Sequence, residues 1–198
     1  MALVTFNDNT LSVIDIETTG VTPGFHEIVQ IAVVPLDADL EPQDRSPFYM
    51  LIKPEHPERV DEEAMRVNGL KMRDLLQCPT HDQVQDTLEE WFQDLKLAQD
   101  KRLIALTQNG EFDIPFVKLW LGEVAYHRYF TYNGRDSMQF ALGLNDQAAF
   151  KCRPVPFAGV GLKPLCNRLG IQLDGHHDAL SDCLATAKVY RELLRFEG

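Results

Sequence analysis

The segment Leu11-Ser12-Val13-Ile14-Asp15-Ile16-Glu17 constrains this chain more than any other. Its apolar, β-branched character reads as a buried strand, yet it carries two carboxylates. Alternate residues of a strand share a face, so Asp15 and Glu17 point the same way, with Cα atoms roughly 6–7 Å apart. A strand that emerges at a sheet edge with solvated acids would explain them blandly. The exit Thr18-Thr19-Gly20 favours a site instead, because small residues let a ligand approach the backbone closely.

Two further acidic segments carry chemistry. Asp113, in Gln108-Asn109-Gly110-Glu111-Phe112-Asp113, follows a predicted strand, Arg102 to Thr107, and opens a predicted helix from about Ile114 to Leu121. An N-cap aspartate is the plain alternative for this residue. His177 and Asp182 are five apart, which on an ideal helix puts them well off one face. His177 is therefore expected in the loop before the last helix and Asp182 inside its first turns, with His176 as the competing histidine. Four carboxylates and one imidazole in one domain suit a site where two divalent cations take oxygen ligands and a neutral histidine accepts a proton from water.

The remaining pattern fits an α/β chain. Strands are expected at Leu11–Glu17, Glu27–Leu36 and Phe48–Lys53, the first two antiparallel across the turn at Pro23-Gly24. Helices are expected at Asp61–Val67, stopped by Asn68-Gly69, and at His81–Leu97. A short strand is expected at Arg128–Tyr132, then helices at Ser137–Leu144, Leu162–Leu169 and Asp178–Arg195. Phe150–Gly161, rich in Pro and Gly, reads as a loop, and the small Ala179, Ser181, Ala185 and Ala187 would let the last helix pack close to a sheet. A length of 198 residues, with 44% hydrophobic and 25% charged, suits one domain over 1–198. No signal peptide or membrane span is expected. The four cysteines form no Cys-x-x-Cys pair, so reduced, partly buried thiols in a cytoplasmic protein are expected. The net charge of -11 argues against a protein that coats nucleic acid electrostatically. Arg66, Lys71, Arg73, Lys151, Arg153, Lys163 and Arg168 are singly surface cations, and as a set candidates for backbone contacts.

Asp15-Ile16-Glu17-Thr18-Thr19-Gly20, Asn109-Gly110-Glu111-Phe112-Asp113 and His177-Asp178-Ala179-Leu180-Ser181-Asp182, in this order, resemble the DEDDh 3′–5′ exonucleases, a group that includes proofreading subunits, RNase T and oligoribonuclease. Each motif alone is common; their order and spacing carry the likeness. The resemblance implies an RNase H-like fold, a mixed sheet flanked by helices. It implies two Mg²⁺ or Mn²⁺ on Asp15, Glu17, Asp113 and Asp182, with His177 as general base because the family's histidine stands five residues before its last aspartate. It implies release of nucleoside 5′-monophosphates from the 3′ end of single-stranded DNA or RNA. Thr18, Val21, Val67 and Asn68 would bind the substrate, Thr18 at the terminal nucleotide and Val21 and Val67 where RNase T-like enzymes wedge aromatics. Asp136 is expected to be structural. Phe25, Phe150 and Phe157 are candidates for base stacking. The chain departs from the family at Gln108, often His, and Gly110, usually Ala. A homodimer and a polymerase or repair partner are both compatible with the family. Two other functions remain: a non-catalytic binding module on the same fold, or a phosphodiesterase for very short oligonucleotides.

Overall fold

In the computed structural model, residues 9–43, 47–173, 175 and 177–197 are described. The N-terminal segment 1–8, where no signal peptide is expected, and His176, the competing histidine, lie outside them.

Strand β1 (Thr10–Thr18) is central in a five-stranded sheet of order β3-β2-β1-β4-β5. It pairs antiparallel with β2 (Ile28–Pro35), which pairs antiparallel with β3 (Phe48–Leu51), and parallel with β4 (Leu103–Thr107). The parallel edge strand β5 (Arg135–Asp136) completes the sheet. All eight residues of β2 are buried, as expected of a strand covered on both faces.

Period-two alternation sorts β1 into two environments. Ile14 and Ile16 join a core with α3 (His81–Asp94), α4 (Gly110–Leu121) and α5 (Glu123–Tyr129), built around Leu88, Phe92, Phe116 and Phe130. Leu11 and Val13 face α8 (Ala179–Leu194) through Ala179, Cys183, Ala187 and Tyr190. Ala179 and Ala187 give α8 its close seat on the sheet, as expected. Ala185 instead faces a third cluster with α6 (Ser137–Phe150) and α7 (Leu162–Leu169). Asp15 and Glu17 share the register of Leu11 and Val13, so both acids lie on the α8 face.

Helix α1 (Glu62–Asn68) is capped by Asp61, whose side chain accepts from the Glu63 N–H, and ends on Gly69 at φ 69°. The short α2 (Met72–Leu75) follows. Three expectations need correction, the first being the helix expected at Ser137–Leu144, which runs on to Phe150. The segment Arg128–Tyr132 is not a strand: most of it lies in and just after α5, where Tyr126 and Phe130 pack on the core, and Phe130 keeps only an isolated bridge to Leu103. Helix α4 begins at Gly110, four residues early, and so takes Asp113 inside it. No helix among the described residues is long and apolar enough to cross a membrane. Cys166 and Cys183 are buried and Cys78 is half-buried, but Cys152 is exposed.

Candidate functional site

The acids meet at the carboxyl ends of the parallel strands β1 and β4, where α/β sheets commonly place ligands. Asp113 is the fourth residue of α4 and Asp182 the fourth of α8; both are buried, at 4% and 5% exposure. The N-cap alternative for Asp113 fails, because Asn109 holds that position. Two helix N-termini, each carrying partial positive charge, therefore present an aspartate to the two acids of β1. Single carboxylate or imidazole atoms of Glu17, His177 and Asp182 all lie within 4.8 Å of one another.

His177 stands in the loop before α8, as its spacing to Asp182 required. Its backbone is left-handed at φ 67°, and its N–H donates to Asp182 Oδ2 at 3.2 Å. This joins the base candidate to a candidate ligand through the main chain. The sequence reading missed the residues that hold this loop. Gln30, opposite Glu17 on β2, accepts the Ala179 N–H at 2.9 Å and donates to Asp178 Oδ1 at 3.1 Å and to the Tyr49 hydroxyl at 2.7 Å. Tyr49 donates in turn to Asp178 Oδ1 at 2.8 Å. Asp178 caps α8 through the N–H and hydroxyl of Ser181. Burial pushes the Asp178 carboxyl up, but bonds from Tyr49, Ser181 and Gln30 outweigh it and hold the group below its ordinary range. Period-two alternation alone placed Gln30 on the α8 face; nothing local linked it to Asp178.

The electrostatics test whether cations fit. Burial, then the charges of Asp113, Asp182, Glu17 and Asp178, raise the Asp15 carboxyl well above its ordinary value. Burial, then Asp182 and Asp178, push Glu17 up to about 8. Burial, then Asp136 and Glu17, raise Asp113, opposed only by the backbone N–H groups of Asp113 and Ile16. Among the described residues, no lysine or arginine pairs with Asp15, Glu17 or Asp113. Like charges packed this closely in a partly enclosed cleft cannot all ionise without added positive charge. Their hard oxygen atoms, with one imidazole nitrogen, are the donors that Mg²⁺ or Mn²⁺ takes. The residues therefore fit divalent cations: Glu17, His177 and Asp182 bring ligand atoms together, and Asp15 and Asp113 line the same cleft.

A cleft of ≈ 300 Å³ opens over these groups, lined also by Thr18, Ala64, Val67, Asn68, Gln108, Phe112 and Leu162. Asn68 Nδ2 donates to the Thr18 carbonyl at 3.2 Å, and the Asp61 N–H donates to the Thr19 carbonyl at 2.8 Å, which ties α1 to the exit of β1. At Gly20 an added Cβ would fall 2.3 Å from the His26 ring, so a side chain here would force that ring to move. Val67 lies on the cleft wall and is 42% exposed; Val21, 69% exposed, is not among the lining residues. Of the stacking candidates, Phe157 is core at 2% exposure, and Phe25 and Phe150 lie outside the cleft. The aromatic in the wall is Phe112, which also packs against the core beside Phe116.

Both departures from the family pattern have local reasons. Gln108 spans two segments, donating to the Val160 carbonyl at 2.8 Å and accepting from the Ser137 hydroxyl at 2.5 Å. At Gly110 a Cβ would sit 2.6 Å from Thr107 Oγ1. Asp136 is structural, as expected: it caps α6 and accepts the Gly110 N–H at 2.7 Å.

Comparison with known proteins gives the family and the fold. A family model described as an exonuclease matches residues 12–190. A PolC-type DNA polymerase III of Thermotoga maritima is 26% identical over 97% of this chain, which spans only 12% of that protein. Exonuclease I of Methylocaldum szegediense superposes with a TM-score of 0.72 at 25% identity, over 94% of this chain and 40% of that one. The nuclease domain of 3′hExo, a DEDDh family member bound to rAMP, superposes with a TM-score of 0.66 at 18% identity, over 94% and 92% of the two chains. The fold is RNase H-like.

Proposed function

We propose, for a chain that belongs to the exonuclease family, that it hydrolyses the terminal phosphodiester at the 3′ end of single-stranded DNA or RNA and releases nucleoside 5′-monophosphates. The observation that carries this reading is the convergence of Asp15, Glu17, Asp113 and Asp182 with His177 on one cleft, where no lysine or arginine among the described residues pairs with the first three. Two bound Mg²⁺ or Mn²⁺ ions would supply water activation and charge neutralisation at phosphorus and at the leaving 3′ oxygen. The four carboxylates hold that charge in place. His177, on a loop beside the rigid α8, accepts the proton of the attacking water. Asn68 fixes the Thr18 backbone against the terminal nucleotide, and Phe112, Val67 and Leu162 wall it off. A cleft of ≈ 300 Å³ suits one terminal nucleotide better than a through-going strand, which favours an end-specific enzyme.

The domain is taken to be the whole of 1–198. Its free thiols fit a reducing, cytoplasmic compartment. A polymerase is the first partner to test, a second copy of the chain the next. The deciding experiment follows trimming of 5′-labelled single-stranded DNA, duplex DNA, RNA and dinucleotides with Mg²⁺, Mn²⁺ or chelator. A ladder shortening from the 3′ end with either metal, abolished by chelator, is expected. Intact substrates throughout, or only internal cuts, would refute the reading.

A further inference from the structure

A second cavity, ≈ 430 Å³, lies at the far end of α7 from the cleft. Lys151, Arg153 and Arg168 line it with apolar residues that include Val155 and Phe196, and Glu197 is the one acid among the described lining residues. In a chain of net charge -11, three cations and one acid around one groove run against the overall balance. The cleft, by contrast, has no lysine or arginine in its lining.

Two connections join groove and cleft. Helix α7 runs from Leu162, which lines the cleft, to Arg168, which lines the groove, an axial separation of roughly 9 Å. The loop 151–161 leaves the groove after Pro156, and its Val160 carbonyl is held by Gln108 of the cleft. Arg168 is fixed on the groove side by its Nε bond to the Pro156 carbonyl at 3.0 Å. Phe196 packs on the buried Phe157 with centroids 5.0 Å apart. Phe150, 91% exposed, immediately precedes Lys151.

We infer that this groove binds the phosphate backbone of the single strand a few nucleotides upstream of the 3′ end held in the cleft. The inference rests on the proposed nuclease reading and extends it. Cations beside apolar and aromatic residues are what a single strand needs, with phosphates on the charges and bases against the apolar groups. The groove resolves the conflict between an acidic chain and a polyanionic substrate: positive charge is placed where the strand passes and left out where bound cations would supply it.

The test is direct binding of a long single-stranded oligonucleotide, by fluorescence anisotropy in chelator so that nothing is cut, to wild type and to the Lys151→Gln/Arg153→Gln/Arg168→Gln variant. Each phosphate contact contributes about 0.7 to the slope of log affinity against log salt for single strands, so the variant's slope should be shallower by about 2. Between 200 and 50 mM salt, wild type should gain about twentyfold more affinity than the variant. In trimming assays with metal, the preference of wild type for the long strand over a dinucleotide should collapse in the variant. Lys151→Gln alone should shift the slope by about a third as much, which guards against a triple variant that folds poorly. Equal slopes and equal preference would overturn the inference. So would loss of binding to an acidic peptide with strand binding intact, which would make the groove a protein-docking site. Failure of wild type to trim any substrate would defeat the nuclease reading while leaving the binding result to judge the groove.

Discussion

Replacing Gln30 with leucine tests how the site is held together. Gln30 is 2% exposed, and its amide accepts the Ala179 N–H and donates to Asp178 and Tyr49. Leucine fills a similar volume but makes none of these bonds. The buried Ala179 N–H loses its partner, which costs about 1–3 kcal/mol, and the bond to the Asp178 carboxylate is of the charged kind, about 1.5–3 kcal/mol. Burying leucine offsets about 1 kcal/mol of this. A net loss of about 3 kcal/mol lowers Tm by roughly 10 °C for a chain of this size. Asp178 stands between His177 and Ala179, so the loss also loosens the histidine and the start of α8. Displacement of a catalytic group by about 1 Å can cost around a hundredfold in rate, so kcat should fall far more than KM rises. Calorimetry and steady-state trimming read the two effects. A Tm within about 2 °C of wild type, less than 1 kcal/mol, together with unchanged kcat, would refute the positioning role.

Other outcomes follow from the same geometry. His177→Ala should lower kcat by about 10²–10⁴-fold while metal binding persists; an unchanged rate in the labelled-strand assay would remove the histidine from the chemistry. In the metal-free protein, Glu17 at about 8 means that the folded state keeps a proton the unfolded chain has already released above its ordinary 4.5. Stability in chelator should therefore fall as pH rises from 6.5 to 8, a window chosen above the range where the buried His81, held below its usual pKa, acts in the opposite sense. Mn²⁺ should abolish that slope and bind more tightly at higher pH, and a chelator melting profile that is flat or rises over this window would contradict the crowding argument. Gly20→Ala should destabilise by about 1–3 kcal/mol, read from the denaturant midpoint, because its Cβ would overlap the His26 ring; an unaltered midpoint would show that the turn has slack.

Much of this architecture is legible along the chain because the signals are local. Strand alternation put Asp15 and Glu17 on one face, and the five-residue spacing separated His177 from α8. The helix at 162–169 coincides with its expected bounds. The errors arise where local and tertiary preferences conflict. Tyr129, Phe130, Thr131 and Tyr132 favour a strand, yet the fold needs Tyr126 and Phe130 stacked inside the core, and a helix begun after Gly122 delivers them. Glycine at 110 concealed the true start of α4, where only a residue without Cβ fits beside Thr107. The tie between Gln30 and Asp178 spans 148 positions, and no short-range pattern carries it. The groove at the end of α7 was hidden likewise: its cations are scattered in sequence and only folding selects Lys151, Arg153 and Arg168 from the seven candidates.

If Asp15, Glu17, Asp113 and Asp182 form one site for a pair of divalent cations, Mn²⁺ titration followed by electron paramagnetic resonance should find two bound ions per chain. Their spectra should show the spin coupling of centres about 3.5–4 Å apart, lost in the Asp15→Asn/Asp182→Asn variant. Uncoupled or absent Mn²⁺ in wild type, or coupling that survives in the variant, would rule out the paired site.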